Sequence, residues 1–127
     1  MTSDKIINFI FNLKKLKTPS SIEVLDPYLN KETINIVSQF YTKFYCDNNK
    51  RTICFGINPG RFGGGITGIP FTDPFYLEKK CNITSSYRKK KEISSSFIYE
   101  MIDSYGGVKK FYKKFFISSI CPYGFVE

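Results

Sequence analysis

The chain has 127 residues, 19 Lys and Arg against 11 Asp and Glu, and no histidine. That length suits one domain, residues 1–127, and the missing imidazole excludes Ser-His-Asp catalysis, histidine-ligated zinc and haem attachment for this chain. The net charge of +8 and pI near 9.3 suit an anionic partner, nucleic acid above all, although the excess of Lys over Arg also fits the drift of an AT-rich genome.

In chain order, Ser3 and Asp4 are candidate caps for a helix whose apolar positions Ile6, Ile10, Leu13 and Leu16 recur near 3.6 residues, with Thr18-Pro19-Ser20-Ser21 ending it. The stretch Ile6–Leu13 is too short, and too interrupted by Asn8 and Asn12, to read as a secretory signal. No run is long enough to cross a membrane. Asn30 is placed to cap a second helix carrying Ile34, Val37, Tyr41 and Phe44 on one face. Thr52–Ile57 is nearly all apolar and reads as a buried parallel strand. A Gly/Pro-rich segment follows from Asn58 to Pro74, where Asp73-Pro74 opens a short helix through Lys80. Asn82–Ile93 is polar, with Arg88-Lys89-Lys90-Lys91 its densest charge run. Ser94–Ser96 opens a helix bearing Phe97, Met101 and Ile102, and Gly106-Gly107 closes it. A basic helix, Val108–Lys114, leads to a second buried strand, Phe115–Ile120.

This alternation predicts an α/β fold with a parallel sheet joined by a crossover. Ending soon after a buried strand, the chain reads as a C-terminally truncated domain. The cysteines at 46, 54, 81 and 121 include no Cys-x-x-Cys pair, so the spacing points to no metal site and to reduced thiols in a cytoplasmic protein.

The segment from Gly56 to Pro74 is where chemistry concentrates. It begins at the carboxyl end of a strand, where open parallel sheets bind ligands. Its glycines allow close backbone approach to a planar or anionic group. A phosphate loop is one reading, though Gly-Lys-Ser/Thr is lacking. A small-nucleotide enzyme would be the corresponding function. A structural loop turned by Asn58 before Pro59 is another.

Gly56-Ile57-Asn58-Pro59-Gly60-Arg61-Phe62-Gly63, followed by Thr67-Gly68-Ile69-Pro70-Phe71, resembles the first catalytic motif of the uracil-DNA glycosylase superfamily. Within it, the likeness is to the single-strand-selective monofunctional enzymes and their bacterial relatives. A weaker likeness runs through Phe111–Phe116 to Cys121-Pro122, so the resemblance spans roughly residues 50–125. It implies a three-layer α/β/α domain, monomeric and without a cofactor or metal, in a bacterial cytoplasm and associated with the nucleoid. The activity it implies is hydrolysis of the N-glycosidic bond of uracil in single-stranded or duplex DNA, by base flipping. Carried over residue by residue, Asn58 positions the attacking water and Phe71 stacks on the extruded base. Ile57, Gly60 and Ser119 contact the base, and Arg61, Arg88, Lys89 and Lys90 hold phosphates. The glycines at 60 and 63–65 imply room for 5-substituted uracils. Ser119 departs from the asparagine found two residues before Cys-Pro in the vertebrate-type members, and serine cannot make the bidentate pair of an amide. The family's second motif, His-Pro-Ser, has no counterpart here. The competing expectation is therefore a nucleic-acid-binding fragment that does not catalyse.

Overall fold

The computed structural model describes residues 1–127. Helix α1 (Thr2–Phe11) begins ahead of its predicted caps, with Met1 at the N-cap and Ser3 buried inside the first turn. It also stops short of Leu13 and Leu16. At its end the Asn8 carbonyl accepts from both the Asn12 backbone N–H at 3.2 Å and the Asn12 side-chain amide at 2.7 Å. Helix α2 (Lys31–Tyr45) starts as expected at Asn30, whose side-chain oxygen accepts from the Glu32 N–H at 2.9 Å. It lies at the centre of the core and buries Ile36, Val37, Phe40, Tyr41, Phe44 and Tyr45.

Strands β2 (Thr52–Gly56) and β3 (Phe115–Ser119) pair in parallel, Thr52 against Phe115 through Gly56 against Ser119. Between them the chain passes through α3 (Gly64–Thr67), α4 (Pro74–Cys81), α5 (Ile93–Tyr105) and α6 (Val108–Lys114). The result is the predicted α/β architecture with a parallel sheet. Side chains alternate across β3 and so build layers on both faces. Phe116 packs on Tyr41 and Tyr45 of α2, while Phe115 packs on Tyr105 and Phe111 of α5 and α6.

Three expectations are corrected. First, β2 is exposed along Thr52–Phe55, with Ile53 at 54% and Phe55 at 65%. No helix packs closely over β2, as α6 does over β3, so its apolar side chains lack the cover of a strand buried between layers. Second, Phe97 and Met101 point outward from α5, while Ser95, Tyr99 and Ile102, spaced one helical face apart, point inward. Third, two strands escaped the sequence reading. β1 (Glu23–Leu25) and β4 (Gly124–Val126) form an antiparallel pair that ties the 120s back to the 20s. At three residues each, they are too short to show a period. No helix is long and apolar enough to cross a membrane.

Candidate functional site

The site starts from the paired ends of β2 and β3. Gly56 lies opposite Ser119, and the ladder continues past the strands. The Ile120 N–H donates to the Gly56 carbonyl at 2.9 Å, and the Cys121 N–H to the Ile57 carbonyl at 3.0 Å. This zipped end presents the next residue, Asn58, to solvent. The Asn58 side chain is exposed and has no hydrogen-bond partner in the chain, so its carboxamide is free for a water or a ligand.

Phe71 returns to the same place from 13 residues downstream. Its ring lies over Gly56, and a Cβ on Gly56 would be 2.8 Å from the ring atoms Cε2 and Cζ. Gly56 and Ser119 are register partners on one face of the sheet, so ring and hydroxyl flank one strand end. Phe71 has φ of +54°, a left-handed conformation that a bulky residue keeps only when its surroundings over-determine it. Those surroundings are two buried threonines. Thr67 Oγ1 donates to the Thr72 carbonyl at 2.7 Å, and Thr72 Oγ1 reaches the Pro70 carbonyl at 3.1 Å. From Thr72 a buried chain runs to the Tyr99 hydroxyl at 2.8 Å, and from there to the Tyr112 hydroxyl at 3.1 Å and the Cys81 thiol. Burial pushes the Cys81 thiol up to about 11 and the phenols of Tyr99 and Tyr112 well above their ordinary value. These groups are therefore neutral braces behind Phe71 and take no part in acid–base chemistry near neutral pH.

The glycine segment between Asn58 and Phe71 is held from two sides. Gly68, at φ +75°, meets α2 so closely that a Cβ there would lie 2.8 Å from Val37 Cγ2. The Tyr28 hydroxyl donates to the Gly68 carbonyl at 3.1 Å, and Thr33 Oγ1 to the Ile66 carbonyl at 2.8 Å. On the other side, Glu92 fills the space beside Gly60 and Gly63, and its Oε1 accepts from the Phe62 N–H at 2.9 Å. The room those glycines make is occupied from within the chain.

Of the predicted site residues, the fold brings together Ile57, Asn58, Phe71 and Ser119. Gly60 lies in the adjoining turn, where its carbonyl accepts from Gly63 and Gly65. Of the predicted cationic group, Arg61 and Lys90 meet over the Phe62 ring, with Lys90 Nζ 3.7 Å from its centroid and the Arg61 guanidinium at 5.3 Å. Lys89 turns away to the Ser85 carbonyl at 2.8 Å, and Arg88 is exposed without an ion-pair partner. No group of three Cys, Asp or Glu side chains could hold a metal ion. The largest groove, about 610 Å³, runs on the opposite face of the sheet under α1, along Phe55, Phe116 and Ser118. At one end it reaches the site, where Pro59, Gly64, Gly68, Pro70, Ser119 and Ile120 line it.

Among solved structures, wild-type SMUG2 of Pedobacter heparinus matches with a TM-score of 0.91 and 49% sequence identity, over 98% of this chain. The chain is a homologue of a single-strand-selective monofunctional uracil-DNA glycosylase. It spans about half of that glycosylase, 54% of its length. No model of a known protein family matches the sequence.

Two parts of the candidate site were missed in the sequence, Glu92 and Asp73 in its wider role. Asp73 is wholly buried. Its Oδ1 accepts from the Tyr76 N–H at 2.9 Å, capping α4, and its Oδ2 accepts from the Glu92 N–H at 2.7 Å. The Asp-Pro signature revealed the cap, whereas nothing local revealed the second bond to a residue 19 positions away.

Proposed function

We propose that this chain carries the base-recognition and water-positioning half of a uracil-DNA glycosylase, acting in base-excision repair on DNA without a cofactor. One observation carries the reading: an unbonded, exposed Asn58 carboxamide leaves the strand end that the strained Phe71 covers beside Ser119. Homology to a glycosylase supports it.

On this reading a uracil nucleotide swings out of the strand, and its ring stacks on Phe71. Such stacking is worth about 1–3 kcal/mol and offsets part of the unstacking cost. Ser119 meets the base edge with a hydroxyl that both donates and accepts. Asn58 holds a water against the anomeric carbon, where positioning supplies most of the advantage. The C1′–N1 bond breaks with its electron pair leaving on uracil. The water oxygen bonds to C1′, and its proton passes to the departing base or to solvent, leaving an abasic site. Arg61 and Lys90, set together on Phe62, are placed for backbone phosphates, and their contribution falls as salt rises.

The second reading is DNA binding without cleavage. It is favoured by the absence of any histidine from the chain. The two separate in one experiment. The chain is incubated with single-stranded oligonucleotides containing uracil or thymine at one position, then treated with alkali. Strand breaks confined to the uracil position support the glycosylase. Salt-sensitive binding with no breaks supports the second reading.

A further inference from the structure

We propose that Glu92 is a positioning residue for the loop that carries Asn58, an inference that rests on the function proposed above. Glu92 occupies the N-cap of α5, where Ser, Thr, Asp or Asn would ordinarily bond a first-turn N–H. Its side chain makes no such bond. The carboxylate reaches across 30 residues to the glycine loop and accepts the Phe62 N–H. It forms no ion pair, although the chain carries a net charge of +8. The loop is shaped around it. A Cβ at Gly60 would lie 2.8 Å from Oε1, and one at Gly63 would overlap the carboxylate. The Glu92 backbone is fixed in turn, since its N–H donates to buried Asp73, the cap of α4. A continuous path of bonds therefore runs from the α4 cap through Glu92 to the loop, and the loop leads straight back to Asn58. Glu92 touches neither base nor water on this geometry. It acts by fixing the turn that follows Asn58-Pro59, and a misplacement of about 1 Å at a water-positioning group costs on the order of 10²-fold in rate.

The test uses this chain and the variants Glu92→Ala and Glu92→Gln, the latter keeping an oxygen for the Phe62 N–H. Hydrogen exchange at the Phe62 amide, followed by NMR, should be at least about tenfold faster in Glu92→Ala and near the parent rate in Glu92→Gln. In excision assays with a uracil oligonucleotide, kcat should fall at least about tenfold in Glu92→Ala with KM little changed, and Glu92→Gln should restore it. Unchanged Phe62 exchange or an unchanged kcat in Glu92→Ala overturns the proposal. So does tighter oligonucleotide binding by Glu92→Ala, which would mean that the carboxylate occupies a phosphate seat. If the parent itself excises nothing, the proposed function fails. The Phe62 exchange then decides by itself whether Glu92 holds the loop.

Discussion

The stretch from Ile57 to Pro74 is continuous in composition and divided in behaviour. Thr67–Pro74 is largely buried, with only Pro70 and Phe71 partly open: the Thr67 and Thr72 hydroxyls, the Gly68 backbone and the Asp73 carboxylate are all hydrogen-bonded within the fold. Ile57–Phe62 is largely exposed, with a free carboxamide at Asn58 and two cations gathered on Phe62. Both stretches are rich in Gly and Pro, so composition alone assigns them the same role. The buried half holds a strained aromatic in place, and the open half is left free for a ligand. On the proposed function, rigidity on one side makes exposure on the other useful, because an unbonded side chain positions a water only if its backbone is fixed.

Stability measurements can break or sharpen that division. The largest effect is expected at Asp73. Replacing it by Ala removes the α4 cap and strands the Glu92 N–H, and should cost roughly 2–4 kcal/mol in denaturant unfolding. Next is Gly68→Ala, which adds a Cβ at positive φ against Val37 and Tyr28. It should cost roughly 1–3 kcal/mol, with Tm falling accordingly.

A pH effect follows. The Cys81 thiol is raised to about 11 by burial, and the phenols of Tyr99 and Tyr112 are raised with it. Protonated forms are favoured in the fold, so this stabilisation is complete below the ordinary thiol value of 9.0. It is lost as pH climbs from there through the folded value, by about 1.4 kcal/mol for each pH unit between the two. Unfolding followed by circular dichroism should show declining stability from about pH 9 upward. Cys81→Ser and Tyr99→Phe variants would separate the thiol's part from the phenol's. The smallest effect is expected at Asn58. Asn58→Ala removes no internal bond, so its unfolding free energy should match the parent within about 0.5 kcal/mol. A large loss there would place Asn58 in the scaffold and erase the contrast.

Much of the fold was legible because its signals are local. Asn30 and Asp73-Pro74 mark helix starts through caps that form as expected, and Phe115–Ser119 is a run too apolar for a loop. β1 and β4 were illegible because they are short and paired only with each other across a hundred residues. The exposure of β2 was equally hidden, since an apolar run reads the same whether or not a neighbour covers it. In the site, Asn58 and Phe71 stood out through their motif. Glu92 did not, because a glutamate between a lysine run and a serine run looks like solvated surface until the fold brings the loop to it. The same holds for the basic run, where only Lys90 reaches Phe62 and Lys89 folds back on Ser85.

The central claim is that the open half of the segment does the chemistry through Asn58. The most direct measurement is the rate of alkali-labile break formation at uracil in a single-stranded oligonucleotide, comparing parent and Asn58→Ala under single-turnover conditions. The expected result is a loss of at least about 100-fold in Asn58→Ala, with its folding stability unchanged. Excision by Asn58→Ala at the parent's rate would contradict the claim.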